Sequence, residues 1–374
     1  MLEGGGQVVR GGCALAALLQ CPVRITHIRA RRERPGLKRQ HLAGLQLLGT
    51  LYGAAALRGC TPGSSTLTFA PTAFAWPASA QGPEQEQGPL VLEVDVGTAG
   101  SVALVMQTAV PVLLAHAGAL GGRDVVLRVA GGTHVAMAPP VTYLAACLVP
   151  RLRAMGVDCA VAVERYGFFP RGGGCATVRI GGLRTGAPAP LALAPLVDAE
   201  RAPVVRYAVR VGLANVPAEI GARAARAAVG LLHARTGVPA REIECAVCDV
   251  GAESAGAGMW VEAYATTARG QVLGANSVGR RGVRAEAVAG EAVAHLLADV
   301  AQGGAVDEYL QDQLLVFMAM AHGRSTLRAG TLSLHTQTMI ALINQLAHAP
   351  VVTTAPATDG EPGTLIFCDG LGLC

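Results

Sequence analysis

The chain has 374 residues, a formal net charge of +4 and an apolar content of 51%, as expected of a globular protein with one large domain and a smaller one. The small net charge excludes a uniformly polybasic nucleic-acid binder. Positive charge is instead concentrated near the start, where residues 1–60 hold nine arginines and lysines against two glutamates, a surplus of seven. We therefore expect a local anionic partner, and phosphate is the usual one.

Cysteine usage and hydropathy bear on the compartment. The ten cysteines are scattered through predicted core segments with no signal peptide ahead of them, so we expect a reduced, intracellular compartment. The most apolar run covers residues 102–120. It is interrupted by Gln107, Pro111 and His116, which favours a buried, kinked helix over a membrane span. We expect no membrane partner.

Glycines and basic residues mark the first predicted elements. Gly4 to Gly6 precede a predicted helix that contains Arg10, and such glycines either let backbone N–H groups approach an anion or form a flexible turn. A strand predicted over 23–28 then leads into the basic stretch 29–41, where Pro35 and Gly36 indicate a turn. This stretch either gathers phosphates or forms a solvated surface.

The middle of the chain offers fewer chemical signals. A helix is predicted over 41–57 and a strand over 65–69, followed by a loop over 70–89 that we interpret as a surface insertion. In the apolar helix, Pro111 cannot donate to the carbonyl of Gln107, which leaves a polar side chain beside a free acceptor. This opened helix turn is either a tolerated kink or part of a functional site.

Near the end of the chain, a short polar segment with one histidine, His335, lies between two helix-like apolar runs. In the first run Tyr309, Asp312 and Gln313 are spaced i, i+3 and i+4 and would share one helix face, as a binding surface or as an ordinary polar helix start. His335 is either a hydrogen-bonded structural histidine or a nucleophile, because an imidazole that is largely neutral at pH 7 can attack phosphorus.

Several motifs together resemble the RNA 3′-terminal phosphate cyclases, particularly their eukaryotic branch. In chain order they are Glu3 to Gln7, Ile28 to His41, Ala99 to Gln107, Gly131 to Pro139, Tyr166 to Gly174, and Val306 to Leu314 joined to Leu334 to Thr338. The chain departs from the family pattern in having Arg31 in place of a glycine and Phe168 and Phe169 in place of two tyrosines. Phenylalanine keeps a face for stacking on a base but loses the hydroxyl, and we interpret this motif as architecture. Family members also carry a strand ahead of the first motif that this sequence does not contain, so either the sequence is truncated or the sheet has lost an edge strand.

The resemblance implies ATP-dependent conversion of an RNA 3′-phosphate to a 2′,3′-cyclic phosphate. The histidine that matches His335 takes AMP from ATP as a phosphoramidate, the AMP passes to the RNA 3′-phosphate, and the neighbouring 2′-hydroxyl displaces it. The implied nucleotide pocket consists of Gln107, Pro139, Tyr309, Asp312 and Gln313. The implied metal, Mg²⁺ or Mn²⁺, lies beside Glu3. The implied ligands of the substrate phosphate are Arg10, Arg29, Arg32 and Arg39.

The resemblance also implies an α/β (α+β) fold. A large catalytic domain of three repeated β-α units covers residues 1–184 and 287–374, and a smaller inserted α/β domain covers 185–286. The partners are RNA with a 3′-terminal phosphate and ATP, and a homodimer is left open. We expect the protein in the nucleus, otherwise in the cytoplasm, acting in RNA processing or repair.

Two other functions compete with this interpretation. Cyclase-like proteins that act in ribosomal RNA processing without cyclase activity lack the nucleophilic histidine, and His335 in its His-Thr-Gln-Thr context argues against that role. Enolpyruvyl transferases are built from similar units, but the segment Tyr309 to Gln313 joined to His335 fits them poorly.

Overall fold

A computed structural model describes residues 4–77, 88–181, 192–200, 202–357, 360 and 362–373 and arranges them as small sheets, each accompanied by helices. This confirms the predicted α/β class. The first unit contains α1 (Gly6–Leu19), β1 (Val23–Ile25), α2 (Arg39–Tyr52), β2 (Leu57–Arg58) and β3 (Leu67–Phe69). Its antiparallel sheet has the order β1-β3-β2. The predicted second helix ends earlier than 57, because the chain turns at Gly53 with a φ of +87°.

The second unit follows the proposed surface insertion, of which residues 78–87 lie outside the described residues. It contains β4 (Leu90–Asp95), α3 (Val102–Ala117), β5 (Val125–Gly131), α4 (Val141–Tyr143), α5 (Val149–Ala154), β6 (Cys159–Arg165) and β7 (Gly174–Ile180). The sheet order is β4-β5-β7-β6, with β4 parallel to β5 and the other pairs antiparallel. Ser101 caps α3 by accepting a hydrogen bond from the backbone N–H of Leu104.

The inserted part of the chain has its own sheet and core. After the short strand β8 (Val197–Asp198) come β9 (Val204–Ala214), α6 (Ala218–Thr236), β10 (Glu244–Asp249), β11 (Gly258–Thr267), β12 (Val272–Val278) and α7 (Ala285–Ala301). The sheet order is β10-β9-β11-β12. The predicted boundary at 286 falls at the start of α7, and Val288, Val293 and Leu296 of that helix pack in the core of the inserted sheet. The domain limits stay a prediction, and the predicted start of the inserted domain at 185 lies outside the described residues.

The third unit contains α8 (Glu308–Met320), β13 (His322–Ala329), α9 (Leu334–Leu346), β14 (Val352–Pro356) and β15 (Thr364–Leu371). Its sheet has the order β14-β15-β13-β8. The polar segment around His335, predicted to lie between two helices, is instead the first turn of α9, and the whole of β13 lies between α8 and α9. The polar sequence of β13 did not predict a strand. The strand forms because it pairs antiparallel with β15 along its whole length.

The helices of the three units meet in one apolar core. Helix α1 packs on α3 and α9, and α8 packs on α9. Cys13, Val105, Leu314 and Ile343, one from each of these helices, are fully buried there. Residues Val102–Leu120 are apolar and long enough to cross a membrane, but 78% of that window is buried inside the protein, as in the core helix of a soluble domain.

Candidate active site

His335 lies in the first turn of α9, where its position is set by the helix cap. Ser333 precedes the helix, and its hydroxyl accepts a hydrogen bond from the backbone N–H of Thr336 at 3.2 Å. The exposed His335 ring has its Nδ1 atom 2.7 Å from Oε1 of Gln7. Because an amide oxygen can only accept, Nδ1 carries the proton and Nε2 carries the unshared electron pair. Within the described part of the chain, Nε2 makes no hydrogen bond.

Gln7 joins three helices at this point. Its side chain is 2% exposed at the start of α1, and its Nε2 atom donates to Oδ2 of Asp312 at 2.6 Å and to the carbonyl oxygen of His335 at 3.0 Å. These two acceptors fix the amide orientation, which in turn fixes the tautomer of His335. In the sequence, Gln7 stands at the end of the first family motif, and it was not predicted as a site residue.

Asp312 supplies the negative charge behind Gln7. Burial raises the pKa of its carboxyl to about 6, against the lowering effect of His335, Arg10 and the hydrogen bond from Gln7. The carboxyl is therefore largely ionised at pH 7 and accepts from the Gln7 amide. The result is a His335–Gln7–Asp312 chain of hydrogen bonds that ends on a carboxylate.

A small, partly open cavity begins beside this chain of hydrogen bonds. Its polar lining consists of Gln7, Arg10, Gln107, Asp312 and Gln313, and the rest of its lining is mainly apolar. Four predicted site residues, Arg10, Gln107, Asp312 and Gln313, are thus brought together. The Gln313 side chain donates from Nε2 to the carbonyl of Tyr309 at 2.7 Å, while its buried Oε1 has no hydrogen-bond partner in the described structure.

Two predicted pocket residues do not line this cavity. Tyr309 lies one turn before Asp312 on α8, and its hydroxyl is 3.1 Å from Nδ1 of His295 on α7. The other ring nitrogen of His295 is 2.5 Å from Oε1 of Glu308, and this bond raises the pKa of His295 despite its burial. The Tyr309 hydroxyl therefore contacts His295. It does not join the Asp312 carboxylate and the Gln313 amide in one polar group, as was predicted. Pro139 is half-buried in the turn after β5.

The predicted phosphate ligands Arg10 and Arg29 lie near the start of α1, although Nη1 of Arg29 donates to the carbonyls of Arg34 and Gly36 at 2.8 and 3.2 Å. The backbone N–H of Arg29 donates to the carbonyl of Gly4 at 2.8 Å. A Cβ atom at Gly6 would lie 3.0 Å from Nη1 of Arg10 and 2.4 Å from Nε2 of His41, so only glycine allows this approach. Arg32 and Arg39 are exposed on the adjoining basic stretch, Arg39 as the first residue of α2.

We call the surface formed by Arg10, Arg29, Arg32 and Arg39 the basic corner. His41 lies in it as well, although it was not predicted as a site residue. Its Nδ1 accepts from the backbone N–H of Lys38 at 3.0 Å. Burial, together with the charges of Arg10, Arg29 and Lys38, lowers the pKa of His41 to about 3. The ring is therefore neutral, and its proton is on Nε2, beside Gly6.

The metal prediction rests on Glu3, which lies outside the described residues. Within the residues that the structure describes, no group of three histidine, cysteine, aspartate or glutamate side chains could hold a metal ion. Asp312, the carboxylate at the cavity, is bonded to Gln7. The described side chains therefore form no metal cage by themselves.

Comparison with known proteins decides the family. The family model described as RNA 3′-terminal phosphate cyclase matches residues 1–352. The chain belongs to the RNA 3′-terminal phosphate cyclase family. This confirms the resemblance that the motifs indicated. Relatives include a "Probable RNA 3′-terminal phosphate cyclase" of Dictyostelium discoideum, 35% identical over 377 residues, 99% of this chain and 81% of that protein.

Other members of the RNA 3′-terminal phosphate cyclase family match over similar lengths. The protein of that name from Drosophila melanogaster is 33% identical, across 99% of this chain and 95% of its own length. The one from Hyperthermus butylicus is 35% identical, across 92% of this chain and 89% of its own length. Among solved structures, the enolpyruvyl transferase NikO from Streptomyces tendae gives a TM-score of 0.38 at 13% identity, covering 99% of this chain and 48% of that one. A similarity that low supports no conclusion.

Proposed function

We propose that the protein converts an RNA 3′-phosphate to a 2′,3′-cyclic phosphate at the expense of ATP, through covalent His335-AMP and an RNA adenylate. The observation that carries the proposal is the hydrogen bond of His335, an exposed residue whose Nδ1–H is held by Gln7 and whose Nε2 makes no hydrogen bond among the described residues. The names of the relatives support the substrate.

The first step uses the hydrogen-bond chain behind His335. Nε2 attacks the α-phosphorus of ATP, a P–N bond forms, and the bond to pyrophosphate breaks. The ring becomes cationic as that bond forms, because Nδ1 keeps its proton. Gln7 accepts from that proton and donates to the Asp312 carboxylate, which stabilises the developing positive charge.

The later steps regenerate His335. An oxygen of the RNA 3′-phosphate attacks the phosphorus of His335-AMP and displaces the ring. The vicinal 2′-hydroxyl then attacks the RNA phosphorus, losing its proton and displacing AMP, so that proximity replaces a dedicated base. One ATP thus yields AMP, pyrophosphate and one cyclic end.

The proposed nucleotide site is at the cavity beside Asp312. Oε1 of Gln313 is a buried acceptor without a partner among described residues, and an amino group such as that of adenine would satisfy it. Arg10 and Gln107 line the same cavity. Pro139 and Tyr309 belong to the proposed pocket on the strength of the family motifs alone.

The basic corner fits phosphate groups. Arg10 and Arg29 flank the N-terminus of α1, whose backbone N–H groups attract anions, and Arg32 and Arg39 extend the positive surface. We include Mg²⁺ or Mn²⁺ beside Glu3 in the proposal, because nucleotide phosphates are ordinary ligands of such ions. A homodimer and nuclear residence, in RNA processing or repair, are proposed on the family resemblance.

The test is turnover of a defined RNA. Purified protein is incubated with ATP, Mg²⁺ and an oligoribonucleotide that ends in a 3′-phosphate, and the end is then challenged with phosphatase. We expect the end to become phosphatase-resistant, with one AMP formed per RNA, and an RNA ending in a 3′-hydroxyl to stay unchanged. A folded sample that binds ATP but forms no resistant end would contradict the proposal.

A further inference from the structure

The turn between β6 and β7 presents an aromatic side chain to solvent. Phe169 is 78% exposed at its tip, whereas its neighbour Phe168 is 3% exposed. A single exposed apolar side chain is common on protein surfaces and means little alone. The residues around Phe169 indicate a function for this exposed side chain.

The backbone that carries Phe169 is held rigidly. The N–H of Gly172 donates to the carbonyl of Phe168 at 2.7 Å and closes the turn. The Phe168 ring is buried in a small apolar cluster with Tyr166 and Trp260. An aromatic group on so fixed a turn binds a ligand with little loss of conformational entropy.

The turn is continuous with the basic stretch of the candidate site. Gly172, at a φ of +65°, packs so closely that a Cβ atom there would lie 2.8 Å from Cα of Ala99. Two residues on, the backbone N–H of Ser101 donates to Oε1 of Gln40 at 3.0 Å. A Cβ atom at Gly97 in the same loop would lie 3.7 Å from Nη1 of Arg39. Loop 97–101 therefore connects the Phe169 turn to the start of α2.

Positive charge lies at both ends of this surface. Arg171 follows Phe169 in the turn, and Arg39 lies at the other end, both exposed. Within the described ranges, neither guanidinium has an ion-pair partner. A polyanion that bound the basic corner and continued over loop 97–101 would meet Arg171 and the Phe169 ring.

We propose that Phe169 stacks on an unpaired base of the RNA substrate upstream of its 3′-phosphate, so that the surface from Arg39 to Phe169 selects single-stranded 3′ ends. The inference rests on the proposed function. Single-stranded RNA carries negative phosphates beside flat bases, and these groups complement the arginines and the Phe169 ring of this surface. A base inside a duplex already stacks on its neighbours and cannot cover the ring, whereas an unpaired base can.

The test is a binding cycle that changes both the protein and the RNA. Oligoribonucleotides with a 3′-phosphate and a 5′ fluorophore are titrated without ATP, each with an abasic site at one of the last five positions. In the unchanged protein we expect one abasic position to weaken binding about tenfold or more, as for loss of one aromatic stack. Phe169→Ala should bind the intact RNA that much more weakly and be insensitive to that abasic position. Phe169→Trp should restore both.

Val205→Ala is the matched control, because Val205 is also apolar and 65% exposed but lies in the inserted sheet. It should bind like the unchanged protein. Equal affinity of Phe169→Ala and the unchanged protein for RNA would overturn the stacking proposal, as would an effect of Phe169→Ala on self-association alone. Transfer of AMP to the protein, measured in parallel without RNA, tests the proposed function separately. Its absence from the unchanged protein counts against the cyclase, whatever Phe169 does.

Discussion

At the scale of single residues, the proposed chemistry depends on Gln7 holding His335 in one tautomer. The amide oxygen of Gln7 faces Nδ1 of His335, and its nitrogen faces the Asp312 carboxylate, so a ring rotated by half a turn would lose its partner. A nucleophile held this way needs no reorganisation before it attacks phosphorus.

Gln7→Met tests this role, because methionine keeps the length and apolar stem of glutamine but has no amide. We expect the rate of AMP transfer from ATP to the protein to fall about 100-fold, the typical loss when a positioned polar group is removed from a proton-bearing catalytic group. The measurement is a single-turnover time course with labelled ATP. Gln46→Ala, at an exposed position of α2, is the control and should match the unchanged protein. A Gln7→Met rate within threefold of normal would show that the bond does not orient the ring.

The residues of this chain were not equally predictable. His335, Asp312 and Gln313 stand close together in sequence, and their motif identified them as candidates. Gln7 could not be found that way, because its partner His335 lies 328 residues farther along the chain. His41 was hidden for the same reason, since its importance comes from the approach of Gly6 and Arg10.

At the scale of elements, α8 is anchored by a buried carboxylate at its cap. Asp307 accepts from the backbone N–H groups of Tyr309 and Leu310, from the Tyr143 hydroxyl at 2.5 Å and from the N–H of Gly274 at 2.9 Å. These bonds fix α8, and with it Asp312, against α4 and β12. Asp299 of α7 is buried nearby, and its Oδ2 has no partner among the described residues.

Burial and the nearby charge of Asp307 raise the pKa of Asp299 to about 7 in the folded protein, from an ordinary value of 3.8. The folded state therefore binds this proton more tightly than the unfolded state. The stability that Asp299 contributes is complete below its ordinary pKa and is lost as the pH rises through about 7. Asp299→Asn should accordingly raise the free energy of unfolding at pH 8 by about 1–3 kcal/mol, because it removes a buried negative charge beside Asp307 whose Oδ2 has no hydrogen-bond partner among the described residues.

Urea unfolding at pH 5 and pH 8 measures this effect, which should be larger at pH 8. Glu219→Gln, at an exposed position in the first turn of α6, is the control; it removes a charge that favours the helix N-terminus, so its small effect on stability should be the same at pH 5 and pH 8. An Asp299→Asn protein that is less stable than the unchanged one at pH 8 would mean that the ionised carboxylate has a stabilising partner.

Secondary-structure elements were predicted correctly where the periodicity of apolar residues was strong. The apolar helix α3 was expected from sequence and is present. Strand β13 was missed, because its polar residues show no clear alternation. Buried Arg328 in that strand is satisfied by the carbonyl of Gly303, at 3.1 Å from its Nε, a contact that no local pattern reveals.

At the scale of the whole molecule, a buried polar junction ties the inserted sheet to the catalytic part. His134 Nε2 lies 2.9 Å from the hydroxyl of Thr142, which donates to Glu262 of β11. Burial and the charge of Arg210 lower the pKa of His134 to about 3, so the ring is neutral and donates from Nε2. The ring centroids of Trp260 and His134 are 4.2 Å apart.

Thr142→Val tests the junction, because valine keeps the shape of threonine and removes the hydroxyl. Both His134 and Glu262 would lose a buried partner, and we expect the free energy of unfolding to fall by about 1–3 kcal/mol. Urea unfolding followed by circular dichroism measures the change. Thr50→Val on α2, where the hydroxyl is exposed, is the control and should be near neutral. An unchanged stability of Thr142→Val would show that the junction contributes nothing.

The overall plan of three small sheets with an insert was expected only from the family resemblance. Glycine-rich strand ends followed by helices hint at repeated units, but composition cannot say how the units meet. Their helices meet through contacts between distant segments, such as α1 on α9. Long-range packing of this kind leaves no periodic signal in the sequence.

The central claim is that His335 carries AMP, and the most direct measurement is a covalent adduct. The protein is incubated with α-labelled ATP and Mg²⁺, denatured and examined for acid-labile label, beside His335→Asn. We predict label on the unchanged chain, discharged by RNA ending in a 3′-phosphate but not by RNA ending in a 3′-hydroxyl, and none on a folded His335→Asn. Label that persists on His335→Asn, or a folded, ATP-binding protein that takes up none, would contradict the claim.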